Sequence, residues 1–144
     1  MNNLLRPFGK SIVSSSARTA TGNSGTLVLP LGESYLFILD CTASSGTAPT
    51  LDVAYQITVD ATTYYSVARH AQLVTTGTRY LRIQPTQGRG EAGVEALSAN
   101  TGGALANNVI LTRNYRVIWT IGGTNPSFTF SVLMFVIPKQ SGTY

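Results

Sequence analysis

Ionisable side chains are scarce in this chain. Only 11% of its 144 residues are Asp, Glu, Lys or Arg, while 43% are hydrophobic. The exterior of a soluble monomer is normally ~25–35% charged, so much of this surface must be Ser, Thr, Gly, Asn and apolar side chains. Much of it is expected to lie against other protein. Cys41 and His70 are each the sole residue of their type, which excludes an intrachain disulfide and the Cys spacing of a zinc site. Cys41 reads as a small hydrophobe in a strand. His70 has no legible nucleophile or orienting carboxylate, so it reads as a surface or strand-end residue. The acidic residues number six. Asp52 and Asp60 lie about 26 Å apart on one extended run at ~3.3 Å per residue, too far for a glycosidase pair. Gly88-Arg89-Gly90 lacks the Gly-Lys-Ser/Thr that completes a phosphate loop. No catalytic residue, metal site or cofactor is expected. Apolar runs are short as well. The run from Val132 to Ile137 holds six residues, against ~20 for a membrane span. Met1-Asn2-Asn3-Leu4-Leu5-Arg6 has no apolar signal region, which predicts synthesis in a cytoplasm and no membrane partner.

What is present is a turn that occurs twice. Gly46-Thr47-Ala48-Pro49-Thr50-Leu51-Asp52-Val53 follows an apolar run at residues 35–42. Gly123-Thr124-Asn125-Pro126-Ser127-Phe128-Thr129-Phe130 follows another at 115–121. Glycine admits backbone angles closed to other residues, and proline fixes φ and withholds an amide hydrogen. Each copy is expected to be the corner of a hairpin, and a chain built of two such hairpins is an all-β sandwich or barrel.

The alternation supports that class. Leu51, Val53, Tyr55, Ile57 and Val59 interleave with Asp52, Ala54, Gln56 and Thr58, giving one wet and one buried face. Further strands are expected at residues 26–29, 34–42, 64–68, 72–75, 78–84, 109–121 and 127–138. In the strand at 78–84, Arg79, Leu81 and Ile83 face opposite to Tyr80, Arg82 and Gln84. From Val132 onward both faces of the last strand are apolar, with Leu133, Phe135 and Ile137 opposite Met134 and Val136. A strand apolar on both sides is covered on both sides, either at the centre of the fold or by a subunit contact.

Three regions depart from this pattern. Residues 1–24 read as an extended arm, rich in Ser and Thr and too poor in apolar groups to offset ~1–2 kcal/mol of ordering per residue. Leu4, Leu5, Phe8, Ile12 and Val13 give the arm something to dock with. Arg6, Lys10 and Arg18 make it basic, with no acidic residue before Glu33. The arm is therefore expected to order on a partner, and its removal to leave the domain at 25–138 folded. Residues 85–108 form one long loop, with a helical turn expected near 92–97 and Arg89 as a contact to a neighbouring copy. Residues 139–144 are a tail. Three basic residues spread over the arm are too thin a charge to indicate nucleic-acid binding. Tyr55, Tyr64, Tyr65, Tyr80, Tyr115 and Trp119, with Arg79, Arg82, Arg113 and Arg116, make a stacking platform for sugar or single strands only if exposed together; strand aromatics are more simply core.

The stretch from Tyr115 to Val132, with the earlier Gly46-to-Val53 copy, resembles the hairpins of small structural proteins of tailed-bacteriophage virions, over about residues 34–84 and 109–137. The resemblance implies an antiparallel jelly-roll sandwich that decorates the capsid exterior as a cement protein. Its partners would be the major capsid protein and, as a trimer, its own copies. The arm residues Leu4, Leu5, Arg6, Phe8, Lys10, Ile12, Val13 and Arg18 would make the contact, supplemented by Arg89, Leu133 and Phe135. A neck or tail position is the alternative, and a carbohydrate- or receptor-binding module the next.

Overall fold

The computed structural model describes residues 6–84, 99–100, 104–107 and 111–138. Among them the chain is all β, with nine strands: β1 Phe8–Arg18, β2 Gly22–Asn23, β3 Leu27–Val28, β4 Ser34–Thr58, β5 Tyr65–His70, β6 Gly77–Gln84, β7 Ala99–Asn100, β8 Ala104–Asn107 and β9 Asn114–Ile137. The two longest, β4 and β9, are antiparallel partners along their whole length, from Ser34↔Ile137 through Thr47↔Thr124 to Thr58↔Asn114. β1, β2 and β3 add to the free side of β9, and β5 and β6 to the free side of β4.

The two turn motifs are therefore not hairpin ends. Each is a bend inside a continuous strand, and the two bends lie side by side. A Gly-Thr-x-Pro segment reverses the chain only if its own flanks pair with each other; here each flank pairs with the other strand's flank. Gly46 and Gly123 both have φ of 112°, while Ala48 and Asn125, each before a proline, both have φ of 48°. A Cβ on Gly46 would sit 2.7 Å from the Asn125 carbonyl oxygen, and one on Gly123 would sit 2.8 Å from that of Ala48. The corners interlock as an approximate two-fold, each glycine seating the other strand's proline turn.

Bending the β4–β9 ribbon here folds the sheet over on itself. Residues 34–45 and 127–137, with β1, β6 and β8, form a first layer. Residues 50–58 and 114–122, with β2, β3, β5 and β7, form a second. Their inner faces meet in aromatic contacts: Phe37 against Tyr55 with ring centroids 4.2 Å apart, and Trp119 edge-on to Phe130 at 5.6 Å. The Tyr115 hydroxyl reaches Met134 Sδ across the gap. Phe37, Leu39, Leu51, Val53, Tyr55, Val117, Phe128, Phe130 and Val132 have no exposed surface. Each buried side chain of this size contributes ~1.5–3 kcal/mol, enough together to outweigh ~1–3 kcal/mol of strain at each unusual backbone position in the corners.

The expected strands at 34–42, 51–59, 64–68, 78–84 and 127–138 correspond to parts of β4, β5, β6 and β9. That at 26–29 contracts to β3, and residues 72–75 contribute only the Leu51↔Leu73 bridge. The strand expected from 109 is described from Asn114 onward, residues 108–110 lying outside the described residues. Val59, assigned to the buried face, follows the end of β4 and is exposed.

The N-terminal arm is a strand. Residues 8–18 pair antiparallel with β9 from Phe8↔Val136 to Arg18↔Phe128, with bulges between Ser11 and Val13 and between Val13 and Ser16. An edge strand needs few apolar side chains, because only part of one face touches the core and the ladder supplies the rest. Within the stretch read as one loop, β7 pairs parallel with β5 and β8 with β6. Residues 92–97 and Arg89 lie outside the described residues.

Candidate functional site

The two layers present unlike surfaces to the outside. Directly paired residues of neighbouring strands share a face, so the register defines each. On the second layer the outward residues are mostly polar: Asp52, Gln56, Ser66, Arg69, Arg116 and Thr120 surround the Ala54↔Ile118 pair. Several of them are hydrogen-bonded. Arg116 Nε donates to Gln56 Oε1 at 2.7 Å and Gln56 Nε2 to Ser66 Oγ at 3.0 Å. Gln72 Nε2 donates to Asp52 Oδ2 at 2.8 Å. The Arg116 guanidinium lies 3.6 Å from the centroid of the Tyr64 ring. This is a face satisfied against water.

On the first layer the outward rows are Phe135–Leu36–Arg82 and Leu133–Ile38–Tyr80, with Ile137 beyond. Phe135 is 42% exposed, Ile137 41% and Tyr80 43%, and Leu36, Ile38 and Leu133 are half-buried. Gly9 continues the first row on β1. A Cβ there would fall 2.5 Å from the Phe135 ring, so the ring lies flat over the β1 backbone. An opening of about 260 Å³ runs between Pro7, Leu36, Arg82, Phe135 and Ile137. This contiguous apolar patch is the candidate interaction surface of the molecule.

The structure thus brings Leu133 and Phe135 together with the N-terminal strand. Phe8 and Lys10 lie beside them but on the other side of the ladder, opposite Val136 and Met134, at the open edge. Both are exposed, as is Arg6. Three arm residues belong to the fold itself. Val13 is buried in the core, with Ile12 packed against it. Arg18 stacks 4.9 Å from the Trp119 ring and 4.5 Å from Phe130, and donates to the carbonyls of Phe130, Ser14 and Ser16. Its burial lowers its pKa. Arg18 clamps the edge strand to the core. Leu4 and Leu5 lie outside the described residues.

Leu36, Ile38 and Tyr80 are members of the patch that sequence reasoning missed. The signal was present: residues 35–41 carry apolar side chains at both parities, as residues 132–137 do. Only the Ile38↔Leu133 and Leu36↔Phe135 pairings show that the two doubly apolar segments are neighbours.

The platform residues are not gathered. Tyr55, Tyr115 and Trp119 are buried, and Tyr64 is under Arg116. Arg79 points inward, Arg82 and Arg116 occupy opposite outer faces, and Arg113 lies at one end.

His70, expected at the surface or at a strand end, is the last residue of β5 and is buried. Its Nε2 is 2.7 Å from the Tyr55 hydroxyl, while Nδ1 has no partner among the described residues. Desolvation, reinforced by the nearby positive charge of Arg79, lowers its pKa to about 3. A buried base with a depressed pKa gives stability that is complete above the ordinary value near ~6.5 and is lost on acidification, because the unfolded state takes up the proton first. Stability is expected to fall between about pH 6.5 and 3 by up to ~1.4 kcal/mol per pH unit. The His70→Gln variant is expected to flatten this slope in urea titrations across that range. An unchanged slope would assign the acid sensitivity elsewhere.

No protein-family model matches the chain, and no curated protein or solved structure shows significant similarity to it. Fold and surface define a β-sandwich with one wet and one apolar outer face.

Proposed function

We propose that this chain is a structural virion protein, a jelly-roll cement protein that lies on the outside of a phage capsid and stabilises the assembled shell. The observation that carries the reading is the one-sidedness of the sandwich. One outer face is mostly polar and hydrogen-bonded, and the other keeps Phe135, Ile137 and Tyr80 in solvent beside an exposed basic edge at Arg6 and Lys10. A module with such a face is laid against other protein. The twin Gly-Thr-x-Pro corners, with the resemblance they carry, point to the shell as that protein. In this reading the fold binds and braces, with no reaction and no cofactor. The basic edge attracts coat carboxylates, and stabilisation arises by mass action as RT ln(1 + [L]/Kd), ~2.7 kcal/mol per site at a hundredfold excess over Kd.

The test is co-sedimentation with expanded shells lacking the protein. Binding that raises the shells' disruption temperature is expected. The paired substitution Arg6→Glu and Lys10→Glu is expected to weaken binding more at low salt than at high salt. Binding to isolated necks or tails in place of shells would move the protein to those structures, and binding to none of them would overturn the assignment.

A further inference from the structure

We infer that the opening between the layers, at the end of the sandwich away from the corners, is a binding site for an aliphatic carboxylate, with the chain in the opening and the head on Arg113. The inference goes beyond the reading of the outer face, because none of the residues that line this opening belongs to the patch laid against the shell.

Leu27-Val28-Leu29-Pro30-Leu31 is an apolar run that outlasts its strand, since β3 ends at Val28. A connection between strands is usually built of turn residues, yet this one keeps Leu31 88% exposed beside Val28 at 61%. Leu29 and Leu111, the latter on the segment that enters β9, instead pack against the core. Together these residues surround an opening of about 450 Å³, bordered by Arg113 and closed toward the core by Tyr35, which is 3% exposed. Small-molecule sites span ~300–1,000 Å³ and combine mostly apolar walls with a few placed polar groups. The opening has both the size and the make-up.

Its wall is held in place without a ligand. Leu29 N donates to the Arg113 carbonyl at 2.7 Å and Glu33 N to the Ile137 carbonyl at 2.8 Å, which fixes the connection at both ends. Between them the Tyr35 hydroxyl donates to the Pro30 carbonyl at 2.7 Å. Gly32 lies so close to β9 that an added Cβ would fall 2.7 Å from Val136 Cγ1. Leu31 is thus carried into solvent by an anchored segment, and little ordering is left for a ligand to impose.

The charge at the rim selects the ligand. Arg113 is exposed, and its guanidinium has no hydrogen bond or ion pair among the described residues. No acidic residue lines the opening. A guanidinium offers two parallel N–H groups that match the two oxygens of a carboxylate, and the apolar walls take a flexible chain. A cationic amphiphile would be repelled from the same place, and a sugar would find too few polar partners inside.

The experiment is calorimetric titration of the full chain with hexanoate, octanoate and decanoate near neutral pH, with amide chemical shifts followed in parallel. A one-to-one complex with decanoate is expected, with a dissociation constant on the order of 100 μM. Binding is expected to tighten about fourfold for each added methylene. The amide signals of Val28, Leu29, Leu31 and Arg113 are expected to move, and those of Leu133 and Phe135 to stay. Arg113→Gln is expected to weaken decanoate binding roughly tenfold, and Leu31→Asp, which sets a negative charge at the lip, to abolish it. Both positions are exposed, so both variants are expected to keep the circular dichroism spectrum. Decyltrimethylammonium, with the same chain length and the opposite charge, is expected not to bind. No saturable binding of decanoate up to ~1 mM, equal binding of decyltrimethylammonium, full affinity in Arg113→Gln, or shifts confined to the outer face would each overturn the inference.

Discussion

Gly46→Ala and Gly123→Ala are each expected to remove about 3–5 kcal/mol of stability, and by nearly equal amounts. Two costs combine. A φ of 112° is strained for any residue with a Cβ, at ~1–3 kcal/mol. The added methyl must also enter occupied space. For Gly46 it meets the Asn125 carbonyl oxygen at 2.7 Å, Pro126 Cα at 2.9 Å and the Thr124 oxygen at 3.0 Å. For Gly123 the neighbours are the matching atoms of Ala48, Pro49 and Thr47 at 2.8, 2.9 and 3.0 Å. All are backbone and cannot swing aside. Losses of this size belong to the destabilising tail of single substitutions. Gly25→Ala is the control: its φ is 73°, but nothing lies within 4 Å of the added carbon, so a loss near ~1 kcal/mol is expected. Urea unfolding of the three variants measures the difference. A Gly46→Ala loss no larger than that of Gly25→Ala would mean that the corners do not interlock.

Removing residues 1–24 is expected to unfold the protein, contrary to what its arm-like composition predicts. The deletion strips the ladder partners of β9 from Phe128 to Val136. It takes Val13 from the core and uncovers Trp119 and Phe130, which Arg18 now roofs. Each ladder bond contributes ~0.5–1.5 kcal/mol net, so the loss is comparable with the whole ~5–15 kcal/mol by which domains are stable. Any chain that remained compact would expose a β9 edge open to intermolecular pairing. Removing residues 1–5 alone is expected to leave the melting transition intact. Thermal melts and near-ultraviolet circular dichroism read both outcomes, and a cooperative transition in the longer deletion would return residues 8–18 to the status of an appendage.

Much of the fold was legible because burial writes itself into the sequence with period two. Leu51, Val53 and Tyr55 and the run from Phe128 to Val136 name the inner faces directly. What local sequence does not carry is the choice of partner. The corners looked like hairpin ends because Gly-Thr-x-Pro punctuates a strand whether the chain turns back or bends and continues. The difference lies in pairings such as Ser45↔Ser127 and Thr50↔Gly122, between segments far apart in the chain. β1 was hidden for the same reason: a Ser-rich edge strand is anchored by a few residues whose partners lie over a hundred positions away, as with Arg18 and the Phe130 carbonyl. His70 illustrates the complement, a polar residue at an inward position whose acceptability depends on Tyr55. The candidate site was half legible. Leu133 and Phe135 stood out for their parity, whereas Leu36, Ile38 and Tyr80 joined them only through the register.

The Phe8↔Val136 pairing sets the beginning and the end of the described sheet next to each other, with the corners at the far side of the fold. Tension applied between the two termini would therefore act crosswise to the strands and open the β1–β9 ladder one rung at a time, the geometry in which a sheet resists least. The same force directed along β4 and β9 would load all their rungs in shear. A scaffold wired this way withstands strain when gripped by its flanks and gives way when pulled by its tails.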